Sequence, residues 1–342
     1  MRVRVANEED TRLWQDFVES HPDACNYHRW KWKQVIERSF GWPTYYLLAE
    51  EDGRIAGILP LVLQKSWMFG RFLTSLPYFN YGGIIAEGHD TELALVAAAT
   101  DLAKKVRADH MELRHCKQLQ LGLPRKTNKV AMVFPVEPDE QAMWRALPDK
   151  VRTSVRKGIK SGLTAEFPGE SGLDDFYEVF AINMRALGTP VYQRQFFLEI
   201  LRAFPEDAHI GVVRYQGKAI AASFLLGYRE TLESVWSSSL PGTLSVKPNM
   251  FLGWSAFCFA GKHGYRTFDF GRSSVGSGPY RFKQQWGCRE VQLYWDYWLS
   301  DGNHLPELNP DNPKYRIAIR VWQQMPLALT KIIGPRIVRC LP

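Results

Sequence analysis

The chain has 342 residues, of which 45% are hydrophobic and twelve are tryptophan, so it can bury sizeable cores and is not a disordered protein. This length favours about two domains of ordinary size. The formal charge of +7 allows an anionic ligand, such as a phosphate, a nucleic acid or a lipid headgroup, without requiring one.

The first half of the chain has an α/β pattern. Apolar residues at helical spacing predict two helices within 14–40. Two apolar runs within 45–62 are joined by Asp52-Gly53, which is a strong signal for a β-hairpin. A further strand-like run follows, then a helix over 93–106 and a short strand over 110–114.

The second half repeats this order of elements about 160 residues later. Two helical patterns lie within 176–204, and a hairpin pattern over 209–227 turns at Gln216-Gly217, a weaker signal than Asp-Gly. A helix over 251–263 leads into a short strand over 267–271. The repetition predicts two copies of one α/β unit.

A basic helix is predicted just before the second copy. Arg152, Arg156 and Lys160 recur at every fourth position, so they share one face. The opposite stripe is formed by Val151, Val155 and Ile159. Like charges at this spacing repel each other, which favours an anion facing the row; the alternative is an ordinary solvated helix face.

The segment 268–287, FDFGRSSVGSGPYRFKQQWG, is the strongest site candidate in the chain. It runs from a strand through a Gly/Ser loop that ends at Pro279, and loops fixed at strand ends often carry binding groups. Its candidate residues are Asp269, Arg272, Ser273, Phe282, Lys283 and Trp286. The alternative is an ordinary strand–turn–strand connection with solvated charges.

Several common sites are not predicted. No metal-ligand cluster is present, and His110 and His115 are best explained as satisfied core or surface residues. The Gly276-x-Gly278 pair lacks the third glycine of a dinucleotide loop and precedes Pro279 rather than a predicted helix. A coenzyme A pyrophosphate loop is expected around 245–250, but SVKPNM there has only one cation.

Five segments of the chain resemble the FemAB family, which is built from two tandem GNAT-like halves. The resemblance covers nearly the whole length and rests on 32–61, 69–83, 151–163, 188–197 and, most specifically, 268–287. The sequence SLPYFNYGG within 69–83 is similar to members found beside exosortase/PEP-CTERM exopolysaccharide genes. The family implies an α/β (α+β) fold with mixed, mainly antiparallel sheets. It also implies a first domain of 1–149 plus about 290–342 and a second domain of 150–289.

The resemblance implies transfer of an acyl group to an amine. Better-known members move an amino acid from aminoacyl-tRNA to a peptidoglycan precursor. In the family, the Phe-Lys pair that falls on Phe282-Lys283 lies at the donor channel, and the basic helix that carries Arg152 and Arg156 lies near the acceptor phosphates. Lys283 as a cation would stabilise the oxyanion, whereas Asp269 is expected to have a structural role. The further expected substrate contacts are Tyr81, Lys160, Tyr192 and Trp236.

Two alternatives remain open. An acyl-coenzyme A could be the donor instead of aminoacyl-tRNA, in which case the protein is a GNAT N-acetyltransferase. Alternatively, the fold is a non-catalytic carbohydrate- or protein-binding component of envelope assembly, with sugars stacked on the aromatic stretches 78–81 or 294–298. No resident cofactor, metal or DNA partner is expected, and the acceptor is a small or lipid-linked molecule of the cell envelope or of exopolysaccharide synthesis.

The location of the protein is predicted from its cysteines, its N-terminus and its tail. Five scattered cysteines without a CxxC pair favour reduced thiols, and the polar N-terminus does not resemble a leader peptide, so a cytoplasmic protein is expected. The tail 315–341 contains basic and apolar residues but no acid. It is either a helix pair that closes the first half or a helix bound to the inner-membrane surface.

Overall fold

The computed structural model describes residues 1–66, 69–301, 305 and 313–341. The chain divides into two compact units, Met1–Lys129 with Gln292–Leu308 and Arg339–Pro342, and Val130–Val291 with Asn309–Val338. The strands, in chain order, are β1 (Arg2–Val5), β2 (Thr44–Glu51), β3 (Arg54–Ser66), β4 (Gly70–Thr74), β5 (Ile85–Ala86), β6 (His110–His115), β7 (Arg125–Lys126), β8 (Lys129–Pro135), β9 (Thr164–Glu166), β10 (Ala208–Tyr215), β11 (Lys218–Tyr228), β12 (Thr231–Ser239), β13 (Thr267–Ser274), β14 (Arg289–Gln292) and β15 (Tyr294–Leu299).

The helices lie between groups of these strands and after the last of them. They are α1 (Thr11–Ser20), α2 (Lys31–Phe40), α3 (His89–Lys105), α4 (Glu140–Ala146), α5 (Asp149–Lys160), α6 (Leu173–Leu187), α7 (Arg194–Ala203), α8 (Pro248–Lys262), α9 (Gly278–Gln284), α10 (Pro313–Gln324) and α11 (Leu327–Val338).

Each unit has its own mixed sheet. In the first unit the order is β1-β2-β3-β4-β6-β15-β7, with β5 beside β3. In the second unit it is β14-β8-β13-β12-β11-β10-β9. Most of the described strand pairs are antiparallel, and helices pack on the sheets, so the predicted fold class of two α/β units is confirmed.

The two hairpins confirm the internal repeat. Asp52 and Gly53 have φ of 49° and 78°, and Gln216 and Gly217 have φ of 52° and 78°, as a two-residue type I′ turn requires. Each hairpin also has a register shift at the same distance before its turn, after Ala49 in one unit and after Val213 in the other. Gln216-Gly217, although the weaker sequence signal, therefore forms the same type of turn as Asp52-Gly53.

The domain boundaries differ from the expected ones at two places. Residues 130–149 lie in the second unit, because β8 pairs with β13 and because Met143 and Leu147, in and after α4, enter the second core. The helices α10 and α11 also lie there, where Ile319 packs on Gly188 of α6's C-terminal cap and Gly334 packs on Val191. Among the described residues of the expected returning segment, β15 pairs with the first sheet, between β6 and β7, and Arg339–Pro342 are also assigned to the first unit.

The parallel strand pair in each unit is where a site can form. The strands β4 and β6 are parallel and joined through α3, and β12 and β13 are parallel and joined through α8. Pairing between β12 and β13 ends at Glu233 and Asp269, although the strands continue to Ser239 and Ser274. The two strands therefore separate beyond this pair and leave an opening in the sheet.

Candidate functional site

A cavity of about 430 Å³, lined by both polar and apolar residues, lies at the opening between β12 and β13. One wall is formed by α8, and α6, which packs on the same sheet, contributes Asn183. Its polar lining is rich in hydroxyl and amide groups: Asn183, Ser223, Ser234, Ser237, Ser238, Ser239, Asn249 and Lys283. Its apolar lining includes Phe268, Phe270 and Phe282. This mixture suits a small ligand held by a few directed hydrogen bonds.

The helix α9 carries Lys283 into this cavity. Its N-terminus is capped by the Ser277 hydroxyl, which accepts a hydrogen bond from Tyr280 N at 3.3 Å, and Pro279 is in its first turn, where proline is tolerated. The expectation that no helix follows Gly276-x-Gly278, and the alternative of a strand–turn–strand connection, are therefore wrong. Short-range capping explains the difference, because Ser-x-Pro can start a helix without a long apolar stripe.

The ammonium of Lys283 is fixed by backbone carbonyls. Its Nζ donates to the carbonyl oxygens of Gly271 and Arg272, both at 3.0 Å. Gly271 has φ of +69° inside strand β13, a conformation that favours glycine. The strand is thereby distorted where two successive carbonyls meet one side chain. Two of the three protons of the ammonium are thus occupied, which leaves one available to a ligand.

Burial lowers the pKa of Lys283 to about 8, and the carboxylates of Asp269 and Glu233 oppose this shift. Lys283 therefore carries its charge at neutral pH and loses it in the mildly alkaline range. A half-buried cation facing a cavity can stabilise negative charge that develops on a bound carbonyl oxygen.

Asp269 makes a local backbone contact close to Lys283, and its expected structural role stays a prediction. Its side chain is buried, and Oδ1 accepts a hydrogen bond from Gly271 N at 2.7 Å. This bond helps to hold the turned backbone whose carbonyls bind Lys283. Glu233 is buried opposite Asp269 in the last register pair of the parallel strands. Sequence reasoning missed Glu233, although a lone carboxylate in a strand of apolar and hydroxyl-bearing residues was a signal for it.

The other candidates on the segment 268–287 have different environments. Phe282 lines the cavity, and the nearby charge of Arg272 lowers the pKa of Lys283. Ser273 is buried, and its Oγ has no hydrogen-bond partner within the described ranges. Trp286 is completely buried in the second core, with its ring centroid 5.1 Å from that of Phe257. Its predicted role as a substrate contact is therefore wrong, because its side chain is not accessible to a ligand.

Tyr192 and Trp236 lie together, but not in the cavity lining. Their ring centroids are 5.8 Å apart in an edge-to-face arrangement, and both pack on Phe196 of α7. Trp236 pairs with Phe224 of β11 across the sheet. Both aromatic rings are half-buried, so they form part of the packing of α6 and α7 on the sheet, and their predicted role as substrate contacts stays a prediction.

The basic helix α5 has the predicted row of cations, but its apolar stripe is different. Ile159 is 53% exposed, whereas Gly158 is buried against Phe251 of α8. The side of α5 that carries Gly158 therefore packs on α8. A residue without a side chain is needed there, because the two helices approach each other closely. Arg152 is half-buried and pairs with Asp149. Arg156 lies over the Trp144 ring at 5.4 Å, and Lys160 is exposed.

The first unit contains the remaining candidates. Tyr81 is 7% exposed and packs 6.0 Å from the Tyr27 ring, so it belongs mainly to an aromatic core. A smaller cavity of about 50 Å³ is lined by His28, Gly83 and His115 among others. His115 is buried and its Nδ1 lies 2.9 Å from Asp296 Oδ2, so it is a core residue, but its Nε2 has no hydrogen-bond partner among the described residues and the expected full satisfaction is not seen. Within the described part of the chain, no group of His, Cys, Asp and Glu could hold a metal ion.

Comparison with known proteins supports the fold and a similarity to FemAB-type proteins. The family described as "Acetyltransferase (GNAT) domain" matches residues 149–284. The lipid II:glycine glycyltransferase of Staphylococcus aureus is 21% identical over 229 residues, which are 60% of this chain and 52% of the relative. The chain thus spans about half the length of the curated relatives it matches. The crystal structure of FemX has a TM-score of 0.65 at 15% identity and covers 86% of this chain and 97% of its own. Residues 149–284 thus match a GNAT domain, and the chain as a whole is similar to FemAB-type proteins.

A second structural neighbour supports the tandem architecture. A tandem GNAT protein from the clavulanic acid biosynthesis pathway has a TM-score of 0.57 at 11% identity, covering 89% of this chain and 99% of its own. The match over 149–284 includes α5, Lys283 and the residues that line the cavity, so the cavity lies in the region that matches a GNAT domain. The closer likeness to exosortase/PEP-CTERM-associated members stays a prediction. Among the described residues, no helix is long and apolar enough to cross a membrane.

Proposed function

We propose that this protein is an N-acyltransferase of the FemAB type, which transfers an aminoacyl or acyl group to an amine of a cell-envelope precursor. The observation that supports this most directly is Lys283, a half-buried cation held by two carbonyls at the edge of the cavity. The relative that is a lipid II:glycine glycyltransferase supports the same class of reaction.

The reaction needs few groups from the protein. The neutral amine of the acceptor attacks the ester carbonyl carbon of the donor, a C–N bond forms, and the carbonyl oxygen becomes an oxyanion. The Lys283 ammonium stabilises this oxyanion. Collapse breaks the C–O bond, and the proton lost by the amine goes to the leaving hydroxyl. Positioning of the two reactants by the cavity supplies much of the remaining rate, so no protein nucleophile is required.

The start of α8 argues for an aminoacyl-tRNA donor over an acyl-coenzyme A. A GNAT pyrophosphate site uses free backbone N–H groups at a helix start. Here Pro248 has no N–H, and the N–H group of Met250 donates to Lys247 O at 3.2 Å, so the first turn has fewer N–H groups available for a pyrophosphate. In the first unit, the corresponding helix α3 has Asp90 and Glu92 in its first turn, which repel a pyrophosphate.

The acceptor is proposed to be a lipid-linked peptidoglycan or exopolysaccharide precursor. The basic row of α5 offers cations for its phosphates, of which Lys160 and Arg156 are exposed. Among these acceptors, the peptidoglycan precursor has the direct support of a relative, whereas the exopolysaccharide precursor rests on the SLPYFNYGG motif of the first unit.

The test is a transfer assay with purified protein and labelled donors. Aminoacyl-tRNAs and acetyl-coenzyme A are offered separately to lipid II and to lipid-linked saccharides that carry a free amine. Lys283→Ala should reduce the transfer rate about a hundredfold, on the scale of losing one oxyanion donor. Lys218→Ala is the matched control, since Lys218 is exposed at the hairpin turn of the same unit.

The outcomes separate the alternatives. Transfer from acetyl-coenzyme A but not from aminoacyl-tRNA would replace the proposed donor. Full activity of Lys283→Ala would remove this residue from the mechanism. Binding of the saccharide without transfer from either donor would favour the non-catalytic alternative.

A further inference from the structure

The helices α10 and α11 expose large apolar residues on the sides that point away from the protein. Both helices pack on α6, where Ile319 contacts Gly188 and where Gly334 contacts Val191 of the following segment. On the opposite faces, the exposed fractions are 67% for Ile317, 58% for Val321, 40% for Leu329 and 63% for Ile332. An ordinary surface helix has polar residues on its outward face. We call these four residues the outward apolar patch.

The charge around the outward apolar patch has one sign. The sequence contains no Asp or Glu from 313 to 341. Arg316 and Arg320 of α10 and Arg336 of α11 are exposed beside the patch. Lys331 is an exception, because it forms a salt bridge with Glu178 of α6. Each of the two helices therefore presents two exposed aliphatic side chains together with exposed arginine.

This combination matches the surface of an anionic bilayer. Interfacial helices place aliphatic side chains at the boundary of the acyl chains, while Arg and Lys contact the anionic headgroups. An RNA partner would need cations or aromatic rings at the centre of the surface, because aliphatic side chains do not stack on bases. We propose that α10 and α11 bind the surface of an anionic membrane through the outward apolar patch and its arginines.

The sequence left two alternatives for this segment, and the fold favours the second. A helix pair that closes the first unit would bury its apolar residues there, but α10 and α11 pack on α6 of the second unit and leave the patch exposed. Because the proposal concerns binding alone, it does not depend on which donor or acceptor the enzyme uses.

The experiment is vesicle flotation of the purified full chain. Vesicles of phosphatidylglycerol and phosphatidylcholine in equal amounts should carry the protein upward in a density gradient, and pure phosphatidylcholine should carry much less. The double variant Ile317→Glu/Ile332→Glu should lower the partition coefficient at least about tenfold, since two buried aliphatic contacts become charged. The double variant Arg316→Gln/Arg320→Gln should lower binding and weaken its dependence on salt.

The matched control is Leu13→Glu/Leu93→Glu, which replaces two leucines of the first unit that are 57% and 40% exposed. It should float like the unmodified protein. The proposal is overturned if the unmodified protein stays at the bottom with anionic vesicles, or if the Ile317→Glu/Ile332→Glu variant floats equally well. It is also overturned if the arginine variant loses tRNA in a filter-binding assay while its flotation is unchanged, which would make the surface an RNA-binding one.

Discussion

Glu233 and Asp269 are the last paired residues of the parallel strands β12 and β13, and both side chains are buried, with exposed fractions of 5% and 6%. Their carboxylates raise the pKa of Lys283 against the larger effect of burial, which lowers it to about 8. The position where the strands separate therefore coincides with the charges that set the protonation of Lys283. Beyond this pair the sheet opens into the cavity.

The first prediction concerns the pH dependence of transfer. Lys283 is charged below its pKa of about 8, so kcat/KM should fall as the pH rises through about 8 if the cation stabilises the oxyanion. Lys283→Arg should have a lower maximum rate, because Arg has a different shape, but it should lack this alkaline fall, because its guanidinium stays protonated. Rate profiles between neutral and alkaline pH measure both effects. An alkaline fall that is unchanged in Lys283→Arg would assign it to another group.

The second prediction concerns the two buried carboxylates. Removing a negative charge near Lys283 should lower the pKa of its ammonium further, so Asp269→Asn and Glu233→Gln should move the alkaline fall to lower pH. Asn at 269 keeps the oxygen that accepts from Gly271 N, which preserves the local turn. Glu230→Gln is the control, since Glu230 is exposed at the turn before β12. A profile that shifts equally in all three variants would contradict this explanation.

The third prediction concerns stability. The pKa of Lys283 is lowered in the folded state, so the unfolded chain binds more protons between pH 8 and 10.5, and stability should rise with pH across this window. Lys283→Met removes the cost of burying the charge and should raise the free energy of unfolding by about 1–3 kcal/mol at pH 7. The gain should shrink toward pH 10.5. Urea unfolding at both pH values measures it.

Its control is Lys262→Met, at an exposed position at the end of α8. This change should alter the free energy of unfolding by less than about 0.5 kcal/mol at either pH. A Lys283→Met variant that is less stable than the unmodified protein at pH 7 would show that the two carbonyl hydrogen bonds outweigh desolvation.

The fourth prediction concerns Gly253 and Trp286. A Cβ at position 253 of α8 would lie 2.8 Å from Cζ2 of Trp286. Gly253→Ala should therefore destabilise by about 1–2 kcal/mol, although Ala is the better helix former. Trp286→Phe removes the ring that would clash and costs stability through the space it leaves. In that background Gly253→Ala should be neutral or stabilising. Strictly additive effects in a denaturation-based double-mutant cycle would contradict the contact.

Local chemistry made the repeated architecture predictable. The turns at Asp52-Gly53 and Gln216-Gly217 depend on the conformations that neighbouring residues adopt, so the sequence alone indicated both hairpins and the duplication. The position of Lys283 was also indicated, because a Gly/Ser loop after a strand is a local signal. The capping of α9 by Ser277 was equally local and was overlooked in favour of a turn.

Burial could not be predicted in the same way. Trp286 and Phe282 are four residues apart and both aromatic, yet Trp286 is fully buried where Gly253 of α8 packs on it, whereas Phe282 lines the cavity. Ile159 was assigned to the buried stripe of α5 by periodicity, but the contact of Gly158 with Phe251 rotates that face away from it. Each outcome depends on where a distant helix packs.

The sequence by itself therefore determined two α/β units, their hairpin turns, the basic row of α5 and the segment that carries Lys283. The tertiary structure decided which strands separate, which carboxylates meet Lys283, and which unit α10 and α11 pack on. The physical reason is the separation along the chain of the residues that interact. Turns and helix caps are set by residues a few positions apart. Cavities, buried charges and outward faces are set by packing between residues that are far apart in the chain.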